Sequence, residues 1–415
     1  MTGQHVYMKR ERKWMVKTKT HVHSWRDIFV AFKMAFDPKM MFLGYAGLLI
    51  SLAWCMTAAS FFSALKIINL SPFFFTKIIL SPMRDNCPIH GANFSSAAAM
   101  FSVGGFIFFI TIALGLLAIW SFFGGAITRI AALDYARDEN VRLIDAVIFA
   151  RKKFWSFFWS PMIPFIGVFF FGICNVIGGL IGRIPVLGEC VVALGFPFAF
   201  VAGLLMVLVG IIGVLGMCFM YPTISAEGSD AFDAVSRAYS YVISRPKRFL
   251  GYCGIYIVYG IICVSIVAFF AWLVIHLSFC TVGFGMGEKF YTVKAYILQR
   301  YNIACLGFCM KPADESKAVA SVLAGWSLKF LAGMLIVYIF CIKLAVWNFF
   351  INYVFSAKTV IYFLLRKEID STNVTDVYLE NNSRNELTTD IKNDDIKKLS
   401  ENTHNDDVRS DQFKE

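Results

Sequence analysis

Charged residues are scarce in this chain: Asp, Glu, Lys and Arg make up 16% of its 415 residues, where a soluble globular domain carries about a quarter. With 58% apolar residues and a mean hydropathy of +0.64, that shortage excludes an ordinary soluble domain. The shortage is concentrated in runs. Gly195 to Tyr221 holds no charge at all and exceeds the roughly 20 residues that cross a hydrocarbon core of about 30 Å. The ten-residue alternation of a membrane barrel is missing too, which leaves helices as the way to satisfy backbone hydrogen bonds in lipid.

Catalytic signatures are also lacking. There is no phosphate loop ending in Gly-Lys-Ser/Thr, no His-Glu-x-x-His, no Cys-x-x-Cys-His and no Gly-x-Ser-x-Gly. Gly283-Phe284-Gly285-Met286-Gly287 is glycine-rich but has no strand before it or helix after it of the kind a nucleotide fold requires, and reads as a loop. The acidic residues Asp134, Asp138, Glu139, Asp145 and Asp233 are the place to look for an enzyme, yet they more simply balance adjacent Arg and Lys. No enzymatic activity and no cofactor are expected. A secretory signal, with a short apolar run and a small-residue cleavage site, is absent as well. Residues 1–40 are instead basic, and the first apolar run, from Met40 to about Ser63, is long enough to be a retained span.

Six runs qualify as spans: about 41–64, 101–124, 156–182, 190–219, 250–278 and 326–350. Residues 125–155 carry Arg129, Arg137, Arg142, Arg151, Lys152 and Lys153, and residues 220–249 carry Arg237, Arg245, Lys247 and Arg248. The alternate loops are poorer, with Lys66, Lys77 and Arg84 in the first and Arg183 in the second; the third, about 279–325, is long and weighs less. The positive-inside rule then places both termini in the cytoplasm, with a bacterial inner membrane as the expected location. The formal net charge of +11 lies mostly on that side, where it suits anionic lipid rather than nucleic acid. Three parts follow: a basic N-terminal segment with an interfacial helix over 1–40, a transmembrane domain over 41–366, and a polar tail over 367–415 expected to be disordered.

The cytoplasmic segments contain a repeat. Asp27-Ile28-Phe29-Val30-Ala31-Phe32-Lys33 leads to Asp37-Pro38-Lys39 and then Phe42-Leu43-Gly44-Tyr45. Asp233-Ala234-Val235-Ser236-Arg237-Ala238-Tyr239 leads to Arg245-Pro246-Lys247 and then Phe249-Leu250-Gly251-Tyr252. A looser third copy runs from Asp145-Ala146-Val147 to Lys153-Phe154. Each copy reads as an amphipathic helix along the inner membrane surface, with Trp25, Ile28, Phe29, Phe32 and Phe36 as the apolar stripe of the first and Phe232, Val235, Tyr239 and Val242 as that of the second. Asp233 and Arg237 stand four apart, as an ion pair would. Pro38 and Pro246 end the surface helices where the chain turns into the bilayer. The expected fold is therefore all-α: a six-span bundle of three hairpins, each preceded by an interfacial helix, with pseudo-symmetry about the membrane normal.

Among residues that stand out, Lys343 lies inside the last apolar stretch. Such a charge either lines a cavity or snorkels to the interface; in the favoured version the sixth span ends near Lys343 and Trp347, Phe350, Tyr353 and Val354 continue as a surface helix. Asn348 and Asn352 fit both versions. Gly203, Gly210, Gly213 and Gly216 suit close packing of the fourth span, and Pro161, Pro164 and Pro197 sit near span ends or kink helices around a cavity. Cys87, Cys280, Cys305 and Cys309 fall in outer loops or at their edge and allow two disulfides in three connectivities. A metal site from Cys87, His90, Cys305 and Cys309 has nonstandard spacing, and His21 and His23 are a weak pair. No metal is expected.

The stretches from Ser229 to Tyr241 and from Arg245 to Leu250, with Thr359 to Asp370 and Asp376-Val377-Tyr378-Leu379-Glu380, resemble a group of uncharacterised bacterial polytopic membrane proteins. The likeness covers most of the chain outside the first twenty residues and the distal tail, and implies a fold rather than an activity. A fainter resemblance is to the membrane domains attached to some glycerophosphodiester phosphodiesterases, whose catalytic domain has no counterpart here. The functional expectation is a non-enzymatic membrane protein, a permease or lipid-facing carrier in contact with membrane lipid. The alternative is a structural or assembly factor that docks a protein partner.

Overall fold

The structure, a computed structural model, describes residues 25–66, 103–184, 187–287 and 326–379, together with 289, 290, 293 and 297. Among the described residues there are nine α-helices and no strand. A 3₁₀ turn, Trp25–Phe29, leads into α1 (Val30–Ala35). There follow α2 (Pro38–Ala64), α3 (Val103–Arg137), α4 (Leu143–Lys152), α5 (Phe154–Ile181), α6 (Leu187–Glu227), α7 (Ala231–Ser244), α8 (Pro246–Met286) and α9 (Trp326–Ile369). Six of these, α2, α3, α5, α6, α8 and α9, are long and apolar enough to cross a membrane. Pro38 and Pro246 do more than end the surface helices: each is the first residue of a span, where a missing N–H is harmless. Asp37 caps α2 by accepting from the Lys39 N–H at 2.8 Å.

The spans pair as hairpins, α2 with α3, α5 with α6, and α8 with α9. The connection between hairpins is cyclic. Surface helix α4 lies on α3, the returning span of the hairpin before it; α7 lies on α6 in the same way; and α1 lies on α9, which closes the ring. The looser third copy of the repeat is thus a full structural member. The three returning helices meet at the centre, where Ile127 and Ala131 of α3, Met220 and Ile224 of α6, and Tyr362 and Phe363 of α9 are all fully or almost fully buried in one cluster. Full burial of an aromatic or branched side chain stabilises by about 1.5–3 kcal/mol relative to exposure, so this base dominates the packing of the molecule.

The base also changes how the surface helices are read. Each turns an alanine-bearing face inward: Ala31 and Ala35, Ala146 and Ala150, Ala234 and Ala238 are all buried. Small side chains let these helices lie close against the returning spans. The expected apolar stripes are split in consequence. Ile28, Val235 and Val242 are buried, whereas Trp25, Phe29, Phe36 and Phe232 are exposed. The surface helices are walls of the base, not only floats on the membrane.

Three further expectations are corrected. First, the sixth span does not end near Lys343, because α9 continues unbroken for 44 residues. At 1.5 Å per residue that is about 66 Å, twice a hydrocarbon core. Much of its second half is packed against protein, with Asn348, Tyr353 and residues Thr359 to Arg366 buried, although Trp347 and Phe350 stay exposed. Trp347, Phe350, Tyr353 and Val354 therefore belong to a central helix and not to a surface one. Second, Gly283 to Met286 form the last turn of α8, which stops at Gly287 with φ of 61°. Third, residues 370–379, grouped with the tail by composition, are seated on the base, with Val374 and Val377 buried.

Away from the base the spans are open. In the most apolar stretches of α5 and α6 only 6% of each is buried, against 33% in α2. Of the glycines in α6, Gly213 meets α5 so closely that a Cβ would lie 2.5 Å from Pro164, while nothing comes within 4 Å of Gly203. Pro161 and Pro164 lie inside α5, and Pro197 and Pro222 inside α6. Residues 1–24, with His21 and His23, residues 380–415, and Cys87, His90, Cys305 and Cys309 lie outside the described residues.

Candidate functional site

The polar side chains of the base converge on Glu227, the last residue of α6. Its Oε2 is 2.8 Å from Nη1 of Arg237 on α7. Its Oε1 accepts from the Tyr362 hydroxyl of α9 at 2.7 Å. Nε of Arg366 on α9 stands 3.1 Å from the same oxygen but out of line for a hydrogen bond, so that contact is ionic. One carboxylate thereby joins three helices. Arg237 shares a second acid, Asp233, at 3.2 Å, and these charges hold its guanidinium pKa up although burial alone would lower it. A charge taken out of water is tolerable only when paired and hydrogen-bonded in this manner.

Beyond α9 the chain returns over this hub as a strap. Arg366 Nη1 donates to the Asp376 carbonyl at 2.7 Å, and the Tyr378 N–H donates to the Ala226 carbonyl at 2.8 Å. Arg129 of α3 is buried with its guanidinium 4.3 Å over the Phe149 ring. It donates to the carbonyls of Ser225 at 2.5 Å and Tyr378 at 2.7 Å. The Tyr378 ring covers Gly228, whose φ of 65° is the left-handed turn that ends α6. A Cβ at Gly228 would lie 2.7 Å from that ring, so the position has two reasons to be glycine. Tyr241 of α7 donates to Asp370 at the start of the strap. Burial, and then that hydrogen bond, push its phenol pKa well above the ordinary range.

A second polar cluster joins α2 to α9 above the hub. Asn348 and Asn352 are fully buried. Asn348 Nδ2 donates to the Met41 carbonyl at 2.7 Å, and Asn352 Nδ2 donates to Asn348 Oδ1 at 3.2 Å. Gly44 makes this crossing possible, since a Cβ there would lie 2.0 Å from Asn348 Oδ1. Tyr45, one residue on, donates to the Cys341 carbonyl. Lys343 is half-buried on α9, about 26 Å along from Trp326 at 1.5 Å per residue. That depth is near the far edge of a roughly 30 Å core counted from the end remote from the base.

The remaining repeat residues serve different partners. Asp27 accepts from Tyr135 of α3 at 2.9 Å. Asp145 pairs with Arg142 at 3.0 Å, and Lys39 donates to the Val141 carbonyl at 2.5 Å. Asp134, Asp138 and Glu139 stay at the end of α3, apart from the hub. Cys280 is on α8, with its Sγ 3.8 Å from His276 Nε2; its proposed disulfide partners are outside the described residues. Among the described residues no three His, Cys, Asp or Glu side chains stand together as metal ligands would.

Sequence reasoning had not singled out Glu227, Arg366, Tyr362 or Gly228. The available signal was their position: each is a polar or glycine residue just inside or just past the base end of a returning helix, where an apolar run gives way to the base. Six helices long and apolar enough to cross a membrane, packed around one base, define a multi-pass α-helical membrane protein. No protein-family model, curated protein or solved structure matches the chain.

Proposed function

We propose that the protein is a non-enzymatic carrier of the bacterial inner membrane whose ligand is lipid rather than a polar solute. What supports this is the separation of polarity along the hairpins. The polar groups of the returning helices are gathered in the base and bonded to one another, whereas the outer stretches of α5, α6 and α8 turn large apolar side chains outward, among them Phe169, Phe198, Phe200, Phe269 and Phe270. A polar solute needs a few convergent polar groups at mid-membrane to replace its water; an acyl chain needs only apolar wall. Orientation rests on the basic residues. At the ends remote from the base the described Lys and Arg are Lys66, Arg183, Lys289 and Lys329, while the base and its surface helices carry many more. By the positive-inside rule, that distribution supports a cytoplasmic base.

The test is reconstitution of the full chain in phosphatidylcholine vesicles containing a fluorescent phospholipid in both leaflets. If the protein moves lipid, an impermeant external reductant bleaches more than the outer-leaflet fraction. Bleaching that stops where protein-free vesicles stop contradicts the reading.

One observation favours a second reading, an assembly factor that docks a protein partner. The strap bonds through Asp376 and Tyr378 to Arg366, Arg129 and Ala226, so a partner that grips the strap pulls on the hub. A stable partner recovered with the intact protein from native membranes, together with unchanged bleaching, supports this reading over the first.

A further inference from the structure

Each surface helix has two apolar faces, and only one of them is sealed in the base. On the first repeat Trp25, Phe29 and Phe36 are exposed. On α4 Ile144 is 67% exposed and Ile148 lies one turn on; the row then continues over the α4–α5 joint to Trp155, 65% exposed, and Trp159. On α7 Phe232 is 76% exposed, and the row continues through Ile243 to Leu250 in α8. A single exposed apolar residue is ordinary. Here the feature recurs in all three repeats, and every row runs on into the outward face of its own span, at Phe42, at Phe165 and at Ile257. Whatever covers the row is therefore continuous with whatever covers the span.

Basic side chains are set into each row. Arg26 and Lys33 flank the first, Arg151 and Lys152 the second, and Lys247 the third, all on the exposed side. Apolar side chains beside Lys and Arg at the entry to a span match a phospholipid at headgroup depth: acyl chains lie against the apolar residues and the phosphate sits at the cations. The three rows also face three sides of a closed ring, because each surface helix leans on a different returning span. One protein partner cannot cover three sides at once, whereas a shell of lipid covers them all.

We infer that the three rows form a collar that binds anionic phospholipid in the leaflet against which the base lies. The collar fixes the depth of the base and selects lipid charge whether or not the protein moves lipid. The readout is the melting temperature of the full chain in nanodiscs of phosphatidylcholine with phosphatidylglycerol, minus its melting temperature in phosphatidylcholine alone. The wild type gains stability from phosphatidylglycerol, and the gain shrinks as salt is added. The triple variant Lys33→Gln, Arg151→Gln, Lys247→Gln loses most of that gain. Because the quantity is a difference within one protein, any general loss of stability in the variant cancels. A wild type indifferent to phosphatidylglycerol, or a gain that survives in the variant, overturns the inference. A particle mass of two chains with no lipid preference overturns it as well and assigns the rows to a second copy.

Discussion

Glu227 is one carboxylate serving Arg237, Arg366 and Tyr362, and removing it leaves the buried Arg366 without its acid. Breaking one side of a buried pair costs about 3–5 kcal/mol, while replacing both sides with apolar residues is often neutral. Glu227→Ala is therefore expected to destabilise the protein by about that much in thermal unfolding in detergent, and adding Arg366→Met to recover part of the loss. A double variant no better than the single would remove the hub from the account. Gly44 is the other sensitive residue. Gly44→Ala forces Asn348 off its bond to the Met41 carbonyl, and an unsatisfied buried amide costs about 1–3 kcal/mol; the same unfolding measurement checks it. The two asparagines were legible as polar residues in an apolar stretch. Glu227 was not, because at the end of a long apolar run it looks like any helix-end acid until α7 and α9 are placed beside it.

At the scale of elements, span count and hairpin order were readable from apolar length, since lipid dictates how long an uncharged run must be. Helix ends were less readable. The extra turns of α3, α6 and α9 within the base are solvated largely by protein, and the rule that limits a span to the bilayer thickness does not apply there. The amphipathic repeat was visible through Pro38 and Pro246, but the face it buries was misjudged, because alanine carries little weight in a hydrophobic stripe and yet fits best where helices touch. The strap was hidden by composition: Val374, Val377 and Tyr378 are few among polar neighbours. Its dependence on Gly228 gives a prediction. Gly228→Ala places a side chain in a left-handed turn, at about 1–2 kcal/mol, and against the Tyr378 ring. Limited proteolysis is expected to cut within residues 370–379 of that variant sooner than in the wild type, while the spans stay protected. Equal cutting rates would mean that the strap is not held by this contact.

For the whole molecule, three repeats in one orientation follow from the sequence, but closure of the ring through α1 on α9 does not. That contact joins the first described residues to the last helix, and no local pattern signals it. The ring explains why the base is compact while the spans are open: among the described residues, the hairpins are anchored to one another mainly at the base. The central claim, a single base on one side of the membrane with the far ends of the spans on the other, is tested most directly by site-specific labelling in intact cells. Cysteines placed at Lys66 and Arg183 are expected to react with an impermeant maleimide from outside a bacterial spheroplast, and cysteines at Lys247 and Lys367 only after lysis. Labelling of all four from the same side would contradict the account.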